Sequence, residues 1–140
     1  MKIVLDTNVL ASGVFFSGAP NKVLKRWLDG QLQLCVSADI LSEYDRILNK
    51  MASKIPGFEI SGILELIRSQ AHIVLDTALE EKVCSDPDDD KFIACALESQ
   101  AMLVVSGDAA LLKTDGYKGV QVLRPAPFLV FLDEKAPPKD

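Results

Sequence analysis

Four acidic residues stand at places in the chain where carboxylates could act together. Asp6 and Asp108 each follow a short apolar run, Glu43 lies inside a helical pattern, and Asp90 lies in the acidic start of another helix. Open α/β sheets bind ligands at the carboxyl ends of their strands, which is where Asp6 and Asp108 would lie. Each acid alone has a structural explanation, but four acids in matching places favour a joint function.

The chemistry of such a set follows from its charge. Two carboxylates about 4 Å apart repel each other by roughly 4 kcal/mol at an effective dielectric constant near 20, so a cluster must take up protons or bind cations. Oxygen ligands without histidine or thiolate select hard ions, Mg²⁺ or Mn²⁺. Such ions can generate a hydroxide nucleophile and stabilise the leaving oxygen in phosphodiester hydrolysis. If the acids converge, the sequence therefore predicts metal-dependent hydrolysis of phosphodiesters.

Helix capping explains most of the acidic segment that contains Asp90. Asp86 is a suitable N-cap, Pro87 suits the first helical position, and Asp88 and Asp89 favour the positive end of the helix dipole. Asp90 differs, because at about 100° per residue it aligns with an apolar stripe. The stripe consists of Ile93, Ala94 and Leu97. A charged side chain in that position needs a partner.

The other acids also have structural explanations. Asp6, followed by Thr7 and Asn8, suits the N-cap of a helix, and Asp108 could cap a short helix in the same way. Glu43 lies at the edge of the apolar face of its helix, where a glutamate is usually half-exposed. Spacing alone does not show that these side chains meet.

Strand-like apolar runs alternate with helix-length segments along the chain. This alternation predicts an α/β fold, in which helices cover both faces of a parallel sheet. The predicted strands are Ile3–Leu5, Leu32–Val36, His72–Leu75, Met102–Val105 and Val120–Leu123. The predicted helices are Val9–Gly13, Asn21–Asp29, Asp39–Lys50, Ser61–Gln70, Pro87–Gln100, Ala109–Leu112 and Pro125–Leu132.

Length and composition indicate one globular domain. The chain has 140 residues, of which 49% are hydrophobic and 25% charged, and we expect a domain over residues 1–132 and a flexible tail over 133–140. No apolar run suits a signal peptide or approaches the roughly 20 residues of a membrane helix, so we expect a cytoplasmic protein without a membrane partner. The widely spaced cysteines are expected to be reduced core residues. They are Cys35, Cys84 and Cys95.

The overall charge argues against a surface that binds nucleic acid by charge alone. The net charge is −5 and the isoelectric point is near 4.9. A nucleic-acid function would therefore need a local positive feature or bound cations. Lys22, Lys25 and Arg26 could form a phosphate-contacting patch, as could Arg46 and Lys50, although solvated helix faces explain both groups slightly better.

The ordered set of acids resembles the four motifs of PIN-domain ribonucleases. The motifs are Asp6-Thr7-Asn8 after the first strand, Glu43 in a helix, Asp90 within Asp-Asp-Lys-Phe-Ile-Ala, and Ser106-Gly107-Asp108. The likeness is closest to the VapC-like toxins of bacterial and archaeal toxin–antitoxin pairs and covers the chain from about Met1 to Leu132. It implies a three-layer α/β/α sandwich around a central five-stranded parallel sheet.

The resemblance also implies a Mg²⁺ or Mn²⁺ site. Asp6 and Asp90 would be its central ligands, and Glu43 and Asp108 would complete the shell, partly through water. All four would then be catalytic residues of a metal-dependent endoribonuclease that hydrolyses RNA. Asp86, Asp88 and Asp89 have weaker claims to the site.

Three supporting residues follow from the same resemblance. Asn8 would orient the first acid by hydrogen bonding, and Ser12 and Ser106 would line the pocket. One position departs from the pattern, because many relatives carry another acid two residues after the one matched by Asp108, and here that residue is Ala110. A second metal ion would then bind poorly, and activity would be low.

The implied partners are an RNA substrate, a small antitoxin protein and a second copy of the chain. Apolar helix faces around Trp27–Leu28 or Ile60–Leu66 could serve a homodimer, but such faces are more often core. The alternative function is a PIN-like module that binds RNA or protein with little catalysis. Ala110 and the acidic isoelectric point favour that alternative modestly.

Other chemistries fit the sequence less well. A haloacid dehalogenase-like phosphatase needs a second Asp two residues after the first, and that residue is Asn8. A receiver domain would use Asp76, without the acidic pair it needs near the start of the chain. The sequence has no GxxxxGK for a P-loop, and a serine triad would depend on His72 without a GxSxG elbow.

Overall fold

The protein folds around a five-stranded parallel sheet, as the alternation of strands and helices predicts. A computed structural model describes residues 1–135, and residues 136–140 of the predicted tail lie outside the described residues. The strands are β1 (Lys2–Leu5), β2 (Gln33–Ser37), β3 (His72–Val74), β4 (Leu103–Val105) and β5 (Gln121–Leu123). The α-helices of the described part are α1 (Thr7–Phe15), α2 (Ala19–Leu28), α3 (Ala38–Ala52), α4 (Ser61–Gln70), α5 (Asp90–Glu98), α6 (Ala109–Leu112) and α7 (Pro125–Lys135). Sheet and helices form the predicted α/β/α architecture.

The strand order creates a switch point beside β1. The order is β3-β2-β1-β4-β5, so the chain moves outward from β1 through β2 and β3 on one side and through β4 and β5 on the other. Ligands bind outside the carboxyl ends of the strands at such a point. Leu5 of β1 pairs with Val105 of β4, which sets the next residues, Asp6 and Ser106, opposite each other.

Helix α1 begins directly after β1, two residues before the predicted start at Val9. Asp6 takes the N-cap position, and its backbone carbonyl accepts the N–H groups of Val9 and Leu10. Its side chain makes no capping hydrogen bond, contrary to the simplest interpretation of the motif. The carboxylate is therefore left for interactions with other elements.

The predicted helix Pro87–Gln100 consists of two different elements. A 3₁₀ turn spans Pro87–Asp89, and α5 begins at Asp90. The Asp86 side chain caps the turn by accepting the N–H of Asp88 at 3.0 Å, as predicted. A 3₁₀ turn advances by about 120° per residue instead of 100°, so it changes the direction in which each acid points.

Helix α3 is fixed to the end of β1 that precedes the predicted site. Ile40, Tyr44 and Leu48 are fully buried along one face of the helix. The hydroxyl of Ser37 caps the helix by accepting the N–H of Ile40 at 3.3 Å. The hydroxyl of Tyr44 donates to the carbonyl of Leu5, the last residue of β1.

The remaining boundaries agree with the predictions to within two residues, except at the C-terminus. Helix α7 continues through Lys135, three residues into the segment predicted as a tail, and the rest of that tail lies outside the described residues. Between residues 1 and 135, no helix is long and apolar enough to cross a membrane.

Several residues considered for a functional role are buried in the core. The cysteines are buried, free thiols, as expected. Trp27 is 4% exposed and Leu64 is 6% exposed, so these parts of the two faces considered for a homodimer belong to the core. Leu28 is half-exposed, and the homodimer stays a prediction.

Candidate functional site

Ser106 joins Asp6 and Asp108 at the switch point of the sheet. The buried Ser106 hydroxyl donates to Oδ2 of Asp6 at 2.7 Å and accepts the N–H of Asp108 at 3.0 Å. The backbone N–H of Asp6 donates to the carbonyl of Val105 at 3.0 Å, which extends the ladder between β1 and β4 by one residue. The Asp6 carboxylate and the backbone N–H of Asp108 therefore share one hydroxyl group.

Asp89 is the third acid of this cluster. The pKa of its carboxyl rises from 3.8 to about 7, and burial is the largest cause. The negative charges of Asp108, Asp6 and Asp86 raise it further, and a hydrogen bond with Asp108 favours the protonated carboxyl. These effects indicate that Asp89 lies near enough to Asp108 and Asp6 to be affected by their charges.

Burial also raises the pKa of the Asp6 carboxyl, which is 6% exposed. The hydroxyl of Ser106 and the nearby backbone N–H of Asn8 oppose this effect, while the charges of Asp108 and Glu43 add to it. Ser106 makes the side-chain contact with Asp6, and the backbone N–H of Asn8, the residue predicted to orient Asp6, acts on the same carboxyl. Because burial outweighs the two hydrogen bonds, the pKa of Asp6 is raised overall, and a bound cation or proton would stabilise this carboxyl.

Asp90 turns to the loop that precedes the 3₁₀ turn. Its Oδ1 accepts the N–H of Cys84 at 2.7 Å, and its Oδ2 accepts the N–H of Val83 at 3.2 Å. Asp90 does have the partners that its apolar surroundings require, and they are backbone amides. Asp90 as a central metal ligand stays a prediction, and its neighbour Asp89 is the acid whose pKa is raised by the charges of Asp108 and Asp6.

Glu43 faces the cleft, but both of its oxygens are engaged. The hydroxyl of Thr7 donates to Oε2, and Nζ of Lys91 lies 2.8 Å from Oε1, with Arg46 at 3.9 Å. Lys91 also lies 3.1 Å from Oδ2 of Asp88, and its side chain is only 11% exposed. Burial lowers the pKa of Lys91, but the contacts with Glu43 and Asp88 outweigh burial, so the pKa is raised and the ammonium stays charged.

An open groove of about 530 Å³ adjoins Asp108. Asn8 and Ser12, two of the predicted supporting residues, line this groove together with Arg124. Nη1 of Arg124 donates to the carbonyl of Gly107 at 3.2 Å, which holds the guanidinium next to Asp108. The lining is otherwise largely apolar and includes Pro20, Pro125 and Pro127. The groove could seat part of a substrate directly beside the acids.

The first predicted basic patch is partly neutralised by its neighbours. Arg26 pairs with Asp133 at 2.7 Å and contacts Gln31 at 3.1 Å. Lys22 and Lys25 line the same shallow cleft as these residues. The cleft therefore offers less free positive charge than the sequence indicated.

The acids offer oxygen donor atoms, which hard cations prefer. The cluster provides carboxylate oxygens only, and its charges push pKa values upward, as expected where a cation or a proton is needed. Throughout residues 1–135, however, no three His, Cys, Asp or Glu side chains form a group that could hold a metal ion as they stand. The fit is therefore one of donor chemistry and not of a preformed coordination shell.

Sequence reasoning assigned Asp89 only a weaker claim to the site, and it missed the contacts of Lys91 and Thr7 with Glu43. A signal for Asp89 exists, because it also stands over an apolar stripe at helical spacing. That stripe consists of Phe92, Ile93 and Ala96, which are all buried. No local signal identifies Lys91, because its partner Glu43 lies 48 residues earlier in the chain.

Fold and site together define a class of protein. It is a parallel α/β domain with an acidic cleft at its switch point, where carboxylates that follow β1 and β4 face another at the start of α5. The sequence profile of the PIN domain matches residues 2–110, and the chain belongs to the PIN-domain family. The resemblance seen in the motifs is thereby confirmed. PIN domains are generally nucleases, which are hydrolases, and they typically use divalent metal ions.

A relative also matches most of the chain. An uncharacterised protein of Methanocaldococcus jannaschii is 32% identical over 116 residues, which span 80% of this chain and 74% of that protein. The relative carries no assigned activity, so arguments about substrate, metal and partner depend on the cleft itself.

Proposed function

We propose that this protein is a divalent-metal-dependent endoribonuclease that acts as the toxin of a toxin–antitoxin pair. The observation that supports the activity is the mutual charge effect of three acids near the switch point, Asp6, Asp89 and Asp108, which raises the pKa of Asp6 and of Asp89. Carboxylates held against one another need a proton or a cation. Membership of a nuclease family that typically uses divalent metals favours the cation.

Asp6, Asp89 and Asp108 would hold Mg²⁺ or Mn²⁺. When bound, the ion supplies a water molecule of lowered pKa and positive charge at the leaving oxygen of the phosphodiester. Ser106 keeps the Asp6 carboxylate oriented through its 2.7 Å hydrogen bond. These contacts fix the first ligand before the ion arrives, which reduces the ordering cost of binding.

The other two predicted ligands contribute from outside this set. Glu43 holds Lys91 and Thr7 at the edge of the cleft, where the charge of Glu43 also acts on Asp6. Asp90 holds the loop at Val83 that leads into the acidic turn. We assign both residues the task of positioning the groups that touch ion or substrate.

RNA would approach along the groove beside Asp108. The groove is open to solvent, so it can accept a strand from the side, which suits cleavage within a chain. Arg124 offers a cation at its rim, held in place by the carbonyl of Gly107. One bound divalent ion changes the net charge from −5 to −3 (−5 + 2), which further eases the approach of phosphate.

The toxin assignment depends on the resemblance of the motifs to VapC-like toxins. It implies a small antitoxin protein as partner, and action in the cytoplasm where RNA is accessible. Expression of the wild-type chain should arrest growth, and the Asp6→Asn variant should relieve the arrest. Normal growth of cells that express the wild-type chain at the same protein level would contradict the toxin assignment. It would not bear on the nuclease activity, which is measured by RNA cleavage.

The second candidate is a PIN-like module that binds RNA or protein without efficient catalysis. Two observations favour it. Among residues 1–135, no group of acids stands ready to hold a metal ion, and Glu43 is committed to Lys91 and Thr7. An RNA cleavage assay separates the two candidates.

The test is cleavage of structured RNA by the purified chain with Mn²⁺ or Mg²⁺. Asp6→Asn should reduce the rate by roughly 1,000-fold, equivalent to about 4 kcal/mol of activation free energy, and chelation of the metal should abolish cleavage. Asp29→Asn, which changes an exposed acid at the end of α2, is the matched control and should retain the wild-type rate. Absence of cleavage by the wild type, or equal cleavage by Asp6→Asn, would favour the binding module.

A further inference from the structure

Lys91 is an unusual residue for an acidic metal cleft, because it places a positive charge inside it. Its side chain is 11% exposed, and its Nζ lies 2.8 Å from Glu43 and 3.1 Å from Asp88. Lysine rarely becomes this buried without a partner. Here Lys91 has two partners, the carboxylates of Glu43 and Asp88. The ammonium is therefore a fixed part of the cleft.

Glu43 is the more deeply engaged of these two carboxylates. It is 15% exposed, whereas the Asp88 side chain is 66% exposed. Its Oε1 faces Lys91 and Arg46, and its Oε2 accepts the hydroxyl of Thr7. A divalent ion at Glu43 would have to displace the ammonium or lie beside it, where two positive charges repel each other.

The acids on the other side of the cleft are not ion-paired in this way, although Arg124 is held near Asp108 by the carbonyl of Gly107. Over the part of the chain that the structure describes, no Lys or Arg side chain forms an ion pair with Asp6, Asp89 or Asp108. Ala110 follows this group in the chain and adds no ligand oxygen. The unneutralised charge is thus confined to one side of the cleft.

We propose that Lys91 is a resident cation that limits the cleft to one divalent ion. This inference rests on the proposed function, since it presumes that Asp6, Asp89 and Asp108 bind a metal ion. The ammonium of Lys91 neutralises Glu43 permanently and occupies the space where a second ion would bind. Glu43 is then a positioning residue that acts through Lys91 and not a metal ligand.

Removal of the ammonium should therefore open a second site. Lys91→Met retains most of the apolar stem of the side chain and removes its charge. In that variant Glu43 and Asp88 become an uncompensated pair of carboxylates beside the hydroxyl of Thr7. We expect this pair to bind a second, weaker divalent ion.

The experiment is a titration of the full chain with Mn²⁺, in which calorimetry and electron paramagnetic resonance count the bound ions. Wild type should bind one Mn²⁺ and Lys91→Met should bind two. The double variant Lys91→Met/Glu43→Gln should return to one, because Glu43 is the carboxylate that the ammonium had masked. Lys113→Met, which removes an exposed lysine of α6's C-terminal end, is the control and should bind one.

Loss of the buried charge could also unfold the chain, and Lys91→Arg keeps the proposal testable in that case. The guanidinium preserves the charge, so this variant should fold and bind one Mn²⁺. Two ions bound to wild type or to Lys91→Arg, or one ion bound to folded Lys91→Met, would overturn the role of Lys91 and leave the nuclease proposal intact. A wild-type chain that binds no Mn²⁺ would overturn both.

Discussion

The two sides of the acidic cleft solve the same electrostatic problem in different ways. On one side, Lys91 lies between Glu43 and Asp88 and neutralises them from within the chain. On the other side, Asp89 faces Asp108 without an ion pair among the described residues, and its pKa rises to about 7. The first side is complete as folded, whereas the second stays poised for a proton or a cation. The difference favours the second side as the half of the cleft that binds a metal ion.

The same contrast recurs between two neighbouring residues. Asp90 accepts two backbone N–H groups, from Val83 and Cys84, and its charge is satisfied by the fold. Asp89 is held against Asp108 and Asp6, where its charge is opposed. A satisfied carboxylate supports structure, and an opposed one is available for chemistry. Replacement of Asp89 by a neutral residue should therefore reduce activity without reducing stability. Replacement of Asp90 should mainly reduce stability.

The largest effect expected when these two neighbouring acids are exchanged is the loss of activity in Asp89→Asn. We expect RNA cleavage to fall by about 100-fold, or about 2.7 kcal/mol of activation free energy, because a ligand of the metal is lost. The free energy of unfolding without metal should stay constant or increase, because repulsion from Asp108 is removed. Asp90→Asn is the matched control in cleavage assays under saturating Mn²⁺. A greater loss of cleavage in Asp90→Asn than in Asp89→Asn would reverse the assignment.

The next effect concerns stability and tests the structural half of the contrast. Asp90→Ala leaves the N–H groups of Val83 and Cys84 without their acceptor, so we expect the free energy of unfolding to fall by about 1–3 kcal/mol. Chemical denaturation followed by circular dichroism measures this change. Glu98→Ala, at an exposed position in the same helix, should change stability by less than about 0.5 kcal/mol. An equally small change in Asp90→Ala would show that the loop does not depend on this carboxylate.

The smallest effect is the dependence of stability on pH. The Asp89 pKa is about 7 in the folded chain against a reference of 3.8, so the folded state binds more protons between these values. The free energy of unfolding should therefore fall as pH rises through that window, by on the order of 1 kcal/mol once solvent screening is considered. Urea unfolding at pH 5 and pH 8 in the presence of chelator measures the difference. Asp89→Asn should show a smaller fall, and an identical fall in both proteins would assign it to other groups.

Much of the fold follows from local sequence patterns. Apolar runs locate every strand to within one residue at each end, and the bounds of α4 and α6 are those predicted. These elements are predictable because burial imposes its period directly on the sequence. Their order then determines that the residues after β1 and β4 meet, so the pairing of Asp6 with the Ser106–Asp108 segment follows from topology.

The choice between Asp89 and Asp90 could not be made in the same way. Both stand over apolar stripes, and the direction of each depends on the 3₁₀ turn at Pro87–Asp89, which helical spacing does not represent. Likewise, the Lys91–Glu43 pair joins two helices through contacts that no local pattern specifies. The sequence therefore identifies the acidic segment, whereas the packed structure selects which of its carboxylates faces the cleft.

In a crystal of the chain grown or soaked with Mn²⁺, an anomalous difference map locates the ion and shows which carboxylates hold it. The account predicts one strong peak between Asp6, Asp89 and Asp108, with at least two of their carboxylate oxygens at a ligand distance of roughly 2.0–2.3 Å. The Lys91 ammonium should remain paired with Glu43 in that crystal. A peak on Asp90 or Glu43, or no peak at saturating Mn²⁺, would contradict the account.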